Sequence, residues 1–89
     1  GEDDAMWPSV RMSDVVMERL SAHGHPYADR HLRYPGAGHL ISFPYLPPSV
    51  RPARHPAVGL SLAYGGNPRD QARANADSWH TVLAFLGRR

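Results

Sequence analysis

The chain has 89 residues, enough for one small domain, and a formal net charge of +2 with basic residues spread along it. A chain of this size buries only a modest share of its surface, roughly 60% for a 60-residue domain and more as length grows. It holds no cysteine, which excludes a disulfide framework and a thiolate zinc site. No aromatic-basic signature of a nucleic-acid-binding sheet appears, and no apolar stretch approaches the roughly 20 residues of a membrane span. Neither nucleic acid nor membrane is therefore an expected partner.

The opening residues 1–7 are polar and acidic, Gly1-Glu2-Asp3-Asp4 leading to Trp7. A helix is expected to start near Pro8 or Ser9, with proline suited to a first turn and serine to the N-cap. Met12, Val16 and Leu20 recur every four residues with Val15 beside them, giving one apolar face. Gly24 is the natural stop.

Residues 30–34 read as a short strand, Leu32 and Tyr34 facing one way, His31 and Arg33 the other. Pro35-Gly36-Ala37-Gly38 breaks it and sets His39 on a loop just past the strand end. Residues 41–56 form a long loop with prolines at 44, 47, 48, 52 and 56, which lower the entropy lost on ordering it. Residues 58–64 suggest one more short strand. The last helix is the clearest: Asn67 as N-cap, Pro68 at the first position, Asp70 in the first turn, and an apolar stripe of Ala72, Ala76, Trp79, Leu83 and Leu86 up to Gly87. Trp79 reads as a core anchor.

One or two short strands do not make a stable sheet, and two amphipathic helices have too little here to cover their apolar faces. The chain begins at Gly1 without an initiator methionine, which points to a processed or truncated product. With no targeting segment, a cytoplasmic location is the default.

Two groups of residues carry chemistry. The first is the acidic opening, whose bland role is capping or solubility. The second is Tyr34-Pro35-Gly36-Ala37-Gly38-His39. An ordinary imidazole titrates near 6.5 and exchanges protons near neutrality, although a loop histidine often has no role beyond the surface. Acyl transfer needs such a base beside a nucleophile and a carboxylate to fix its tautomer. Along an α/β-hydrolase chain the order is nucleophile, acid, histidine. The last two occur here in that order, separated by a helix and a strand.

Gly1-Glu2-Asp3-Asp4, Trp7, Ser9, Glu18-Arg19-Leu20, His23-Gly24, Tyr34-Pro35, Gly38-His39, Pro44-Tyr45, Gly65-Gly66 and Ala76-Asp77-Ser78-Trp79 together resemble one known pattern. It is similar to the C-terminal region of the acyl-CoA thioesterase and bile acid-CoA:amino acid N-acyltransferase family, over essentially the whole chain. The resemblance implies an α/β class, with residues 1–89 as the C-terminal portion of one α/β-hydrolase catalytic domain: helix, strand, long proline-rich loop, C-terminal helix. It implies Asp4 as triad acid, with Asp3 its neighbour, and His39 as general base. The implied function is hydrolysis of an acyl-CoA thioester. Transfer of the acyl group to an amino acid is the alternative, and a self-associating, non-catalytic module is a third reading for the isolated chain.

No Gly-x-Ser-x-Gly or Gly-x-Cys-x-Gly elbow is present, so the nucleophile and the oxyanion-hole donors are expected from a missing N-terminal part of the same protein. Phe43 and Tyr45 are candidates to line an acyl or pantetheine passage, or else they fill a gap beneath the proline-rich loop. His23, His25 and His31 lie close in sequence, but no carboxylate completes a tetrahedral set with them, so no metal and no cofactor is expected. His55 and His80 read as surface histidines.

Overall fold

The computed structural model describes residues 1–44, 53–54, 57 and 59–87. Their order is α1 (Ser9–Ala22), β1 (Ala53–Arg54), β2 (Ser61–Leu62) and α2 (Pro68–Leu86). The two strands form one antiparallel pair, Ala53 opposite Leu62 and Arg54 opposite Ser61. The strand expected over residues 58–64 thus narrows to β2. Its partner β1 arises inside the segment read as a long loop. Most of that loop, Tyr45 included, lies outside the described residues.

The strand expected over residues 30–34 is not a paired strand. A strand is defined by a ladder, and among the described residues no second strand lies beside this one. Its side chains nevertheless alternate in what they meet. Leu32 lines a groove with Thr81, Val82 and Phe85 of α2, and the Tyr34 hydroxyl donates to Asp77 Oδ2 of α2 at 2.6 Å. On the other side His31 Nδ1 lies 3.4 Å from Asp14 Oδ1 of α1. Burial and then the Asp77 acceptor push the Tyr34 hydroxyl up to about 12.

Pro8 occupies the cap position of α1 and supplies no side-chain cap, so the serine expected there is instead the first helical residue. At the other end Gly24 takes φ 62°, and the amides of His23, Gly24 and His25 close on the carbonyls of Arg19, Ser21 and Leu20. This is a left-handed helix stop. The start of α2 follows the sequence reading: Asn67 Oδ1 accepts from the Asp70 amide at 2.9 Å, and Pro68 opens the helix.

α1 and α2 do not pack on each other. α1 has no buried residue, and Met12, Val15 and Val16 are all half exposed or more. The buried face of α2 is Gln71, Ala74 and Asn75, while Trp79, Leu83 and Leu86 are exposed. The expected stripe therefore exists as a stripe, but its side chains stay largely exposed. Trp79 is correspondingly no core anchor: it is 39% exposed and packs edge-on against Phe43 at 5.0 Å.

The loops meet where glycines leave room. Gly65 has φ 78°, and a Cβ on it would run into Asp3 O. An isolated antiparallel bridge joins Asp4 to Gly65 at this crossing. Gly65→Ala is expected to cost about 1–2 kcal/mol for the left-handed backbone alone, plus the displacement of Asp3. Chemical denaturation of the variant measures this, and an unchanged midpoint would exclude the crossing as a constraint.

Candidate active site

Asp4 is the most enclosed charged group of the site, its side chain 2% exposed. A carboxylate removed from water is stable only when hydrogen bonds replace the lost solvent. Four donors do so here. The turn after Asp4 aims the Met6 and Trp7 amides at Oδ1, at 2.8 and 3.0 Å. The Ser9 hydroxyl, on the first residue of α1, donates to Oδ2. His39 Nδ1 reaches the same Oδ2 at 2.9 Å.

Burial raises the Asp4 pKa, but the donors act against it and prevail. Ser9, the Trp7 amide, His39 and the Met6 amide together hold the carboxyl well below the usual carboxylate range. The ionised carboxylate accepts only. His39 must therefore carry its proton on Nδ1, leaving Nε2 as the basic atom. Among the described residues Nε2 has no hydrogen-bond partner, and the His39 side chain is 21% exposed.

Two rings hold the imidazole. Trp7 meets it edge to face at 5.1 Å, and Tyr64 lies nearly parallel at 6.0 Å. The Tyr64 carbonyl accepts from the His39 amide at 2.8 Å and from the Ala5 amide at 3.2 Å. One carbonyl thus ties the acid loop to the histidine loop. Asp3 donates its amide to Ala37 O at 2.9 Å, which adds a second tie.

The sequence-predicted Asp4 and His39 are brought together, 35 positions apart along the chain. Asp3 is exposed and does not join them. Phe43 is not among the contacts of His39; its ring partner is Trp79, on a groove lined also by Ile41, Ser42, Ser78 and Val82. Tyr45 is outside the described residues.

Three contributors escaped the sequence reading. Ser9 looks like an N-cap in sequence, and its service to Asp4 depends on how the turn at Met6 and Trp7 folds back. Tyr64 lies in a segment read as strand. Gln71 donates Nε2 to Leu40 O at 2.6 Å and accepts from the Gly38 amide at 2.8 Å. A buried glutamine on an otherwise amphipathic helix would have been the signal for it.

Two of the three neighbouring histidines meet different carboxylates. His25 Nδ1 pairs with Asp29 at 2.7 Å, and His31 with Asp14. Among the described residues no group of three His, Cys, Asp or Glu is placed to hold a metal ion, and no helix is long and apolar enough to cross a membrane.

An enclosed carboxylate bonded to Nδ1 of a loop histidine is a contact that a hydrolytic triad would require. The chain belongs to the family described as BAAT / Acyl-CoA thioester hydrolase C terminal, which it matches over residues 1–89; the family is of α/β-hydrolase type. It is 38% identical over 86 residues to the human acyl-coenzyme A thioesterase 6, covering 97% of this chain and 20% of that protein. It is 37% identical over 86 residues to the mouse mitochondrial acyl-coenzyme A thioesterase 2, covering 97% and 18%. To the mouse peroxisomal succinyl-coenzyme A thioesterase it is 36% identical over 89 residues, covering 99% and 20%. The chain thus spans about one fifth of the length of these relatives. Since their names include mitochondrial and peroxisomal forms, the expected cytoplasmic location rests on its default alone.

Asp4 sets a stability signature. Its carboxyl titrates lower in the folded chain than in the unfolded one, where an aspartate titrates near 3.9. The stabilisation is complete above that value and is lost as the pH falls below it toward the folded pKa. The stability difference between the native chain and Asp4→Asn is therefore expected to shrink between pH 5 and pH 2. Denaturant melts across that range test this, and a flat difference would contradict an ionised Asp4.

Proposed function

We propose that this chain supplies the acid and the general base of an acyl-CoA thioester hydrolase, as the C-terminal portion of one α/β-hydrolase catalytic domain. The observation that carries the reading is the bond of 2.9 Å from His39 Nδ1 to the enclosed Asp4 carboxylate. The relatives' names, all of them acyl-coenzyme A thioesterases among those given above, favour water over an amine as the acyl acceptor. A fatty acyl-CoA substrate would place the reaction in lipid metabolism.

The nucleophile, a Ser or Cys in another part of the protein, attacks the thioester carbonyl. His39 Nε2 takes its proton and delivers it to the departing CoA thiolate, leaving an acyl-enzyme. Water then attacks the acyl group, again losing its proton to Nε2, and the nucleophile recovers that proton as the acid product leaves. Asp4 holds the imidazole in the required tautomer and stabilises the imidazolium in both halves. No metal or organic cofactor enters this sequence.

In the complete protein, Asp4→Asn is expected to lower kcat by roughly 10⁴-fold, as the corresponding change does in a serine protease. His39→Ala is expected to lose at least as much. Near-normal turnover of an acyl-CoA by either variant would remove the assignment.

A second reading applies to the chain taken alone. The open faces of α1 and α2 are the surfaces that the remainder of the domain covers. Without that cover the 89-residue chain is expected to be inactive and to self-associate. A monomeric species with cooperative unfolding in sedimentation and melting experiments would exclude this.

A further inference from the structure

The segment that carries His39 is held by backbone bonds, from the His39 amide to Tyr64 O and from the Asp3 amide to Ala37 O, but the side chains next to the imidazole add little. Gly36 takes φ 74°, Gly38 has no side chain, and Leu40 is exposed. Neither Gly38 nor Leu40, the residues on either side of His39, positions it through a side chain. A general base must nevertheless be placed to within a fraction of an ångström, because a misplacement of about 1 Å costs up to about 100-fold in rate.

We infer that Gln71 is a positioning residue for His39, working as a two-point amide clamp on the backbone that flanks it. Its side chain is 3% exposed. Oε1 accepts from the Gly38 amide at 2.8 Å, one residue before His39. Nε2 donates to Leu40 O at 2.6 Å, one residue after it. A primary amide is the side chain that offers an acceptor and a donor at this spacing. A carboxylate meets the first bond and fails the second, and an apolar residue fails both.

Asn75 extends the clamp by one helical turn. Its side chain, also enclosed, accepts from the Ser42 amide at 2.9 Å and from Gln71 Nε2 at 3.4 Å. Ala74, fully buried between them in sequence, keeps this face of α2 small enough to approach the loop. The helix is itself anchored on the same turn, through the Asn67 amide donating to Gly36 O at 2.8 Å. The inner face of α2 is thus a polar template for residues 36–42.

This inference rests on the proposed role of His39, and its test separates the two. In the complete protein, Gln71→Leu removes both bonds at similar volume, and Gln71→Glu keeps the acceptor while losing the donor. Gly24→Ala strains the left-handed stop at the far end of α1, away from the clamp, and serves as a match for lost stability. The readouts are kcat and KM for an acyl-CoA, and the low-field proton resonance of His39 Nδ1–H in histidine-labelled protein. Gln71→Leu is expected to lower kcat about 10–100-fold with KM within about twofold, and to broaden that resonance. Gln71→Glu should fall between Gln71→Leu and the native protein, and Gly24→Ala should leave both readouts near native. A native kcat and a sharp resonance in Gln71→Leu would overturn the clamp. So would an equal kcat loss in Gly24→Ala at matched melting temperature. If His39→Ala leaves turnover intact, the functional assignment fails, while the resonance still reports on the clamp.

Discussion

Taking the charge of Asp4 out of water is the demand around which the described structure is arranged. A carboxylate in a side chain 2% exposed needs several donors, and no single element provides them. Two are amides of the turn that follows it, one is the hydroxyl that opens α1, and one is the imidazole of a loop 35 positions away. Each donor fixes a piece of backbone. The turn fixes where α1 starts, Ser9 fixes its end against the acid, and His39 fixes the second loop against the first. The glycines at 38, 65 and 66 are what allow main chains to approach closely enough for this, since a Cβ on any of them would meet another backbone.

The chain is correspondingly poor in apolar interior. Its fully buried hydrophobic residues are two alanines, Ala37 and Ala74, among the described residues. Order at the site comes from hydrogen bonds: the Tyr64 carbonyl shared by the acid and histidine loops, and the Gln71–Asn75 face beneath the histidine loop. Such networks hold well only when every member is satisfied. No buried side-chain polar atom among the described residues lacks a partner. The apolar surface is instead displayed outward, on Met12, Val15 and Val16 of one helix and Trp79, Leu83 and Leu86 of the other.

Both helices, the cap of α2 and the glycine stop of α1 were legible in the sequence, because each depends on local residue chemistry. Asn67, Pro68 and Gly24 act on their own neighbours, so no tertiary knowledge is needed to read them. Asp4 and His39 were legible only through the order of acid and base and the family resemblance, since nothing local distinguishes Asp4 from Asp3. The strand over residues 30–34 failed for a nonlocal reason: alternation can be read from sequence, but a ladder requires a partner. The buried side of α2 failed for a similar one. Periodicity identifies an apolar face without saying which neighbour it meets, and here the polar face is the one turned inward, because its amides match the unpaired main chain of the histidine loop.

This division of faces links the precision of the site to whatever covers the helices. α1 carries Ser9 at its first residue and its apolar face further along; α2 carries Gln71 and Asn75 in its first half and most of its exposed apolar side chains beyond them. A helix transmits position along its axis as a nearly rigid rod, so fixing its outer side also fixes the hydroxyl or the amide at its start. The two helices do not brace each other. Their orientations are therefore set by the loops at one end and by the cover on their outer faces. Under the proposed assignment that cover also brings the nucleophile, so that the act of burying the apolar faces completes the triad and steadies the acid and base that serve it.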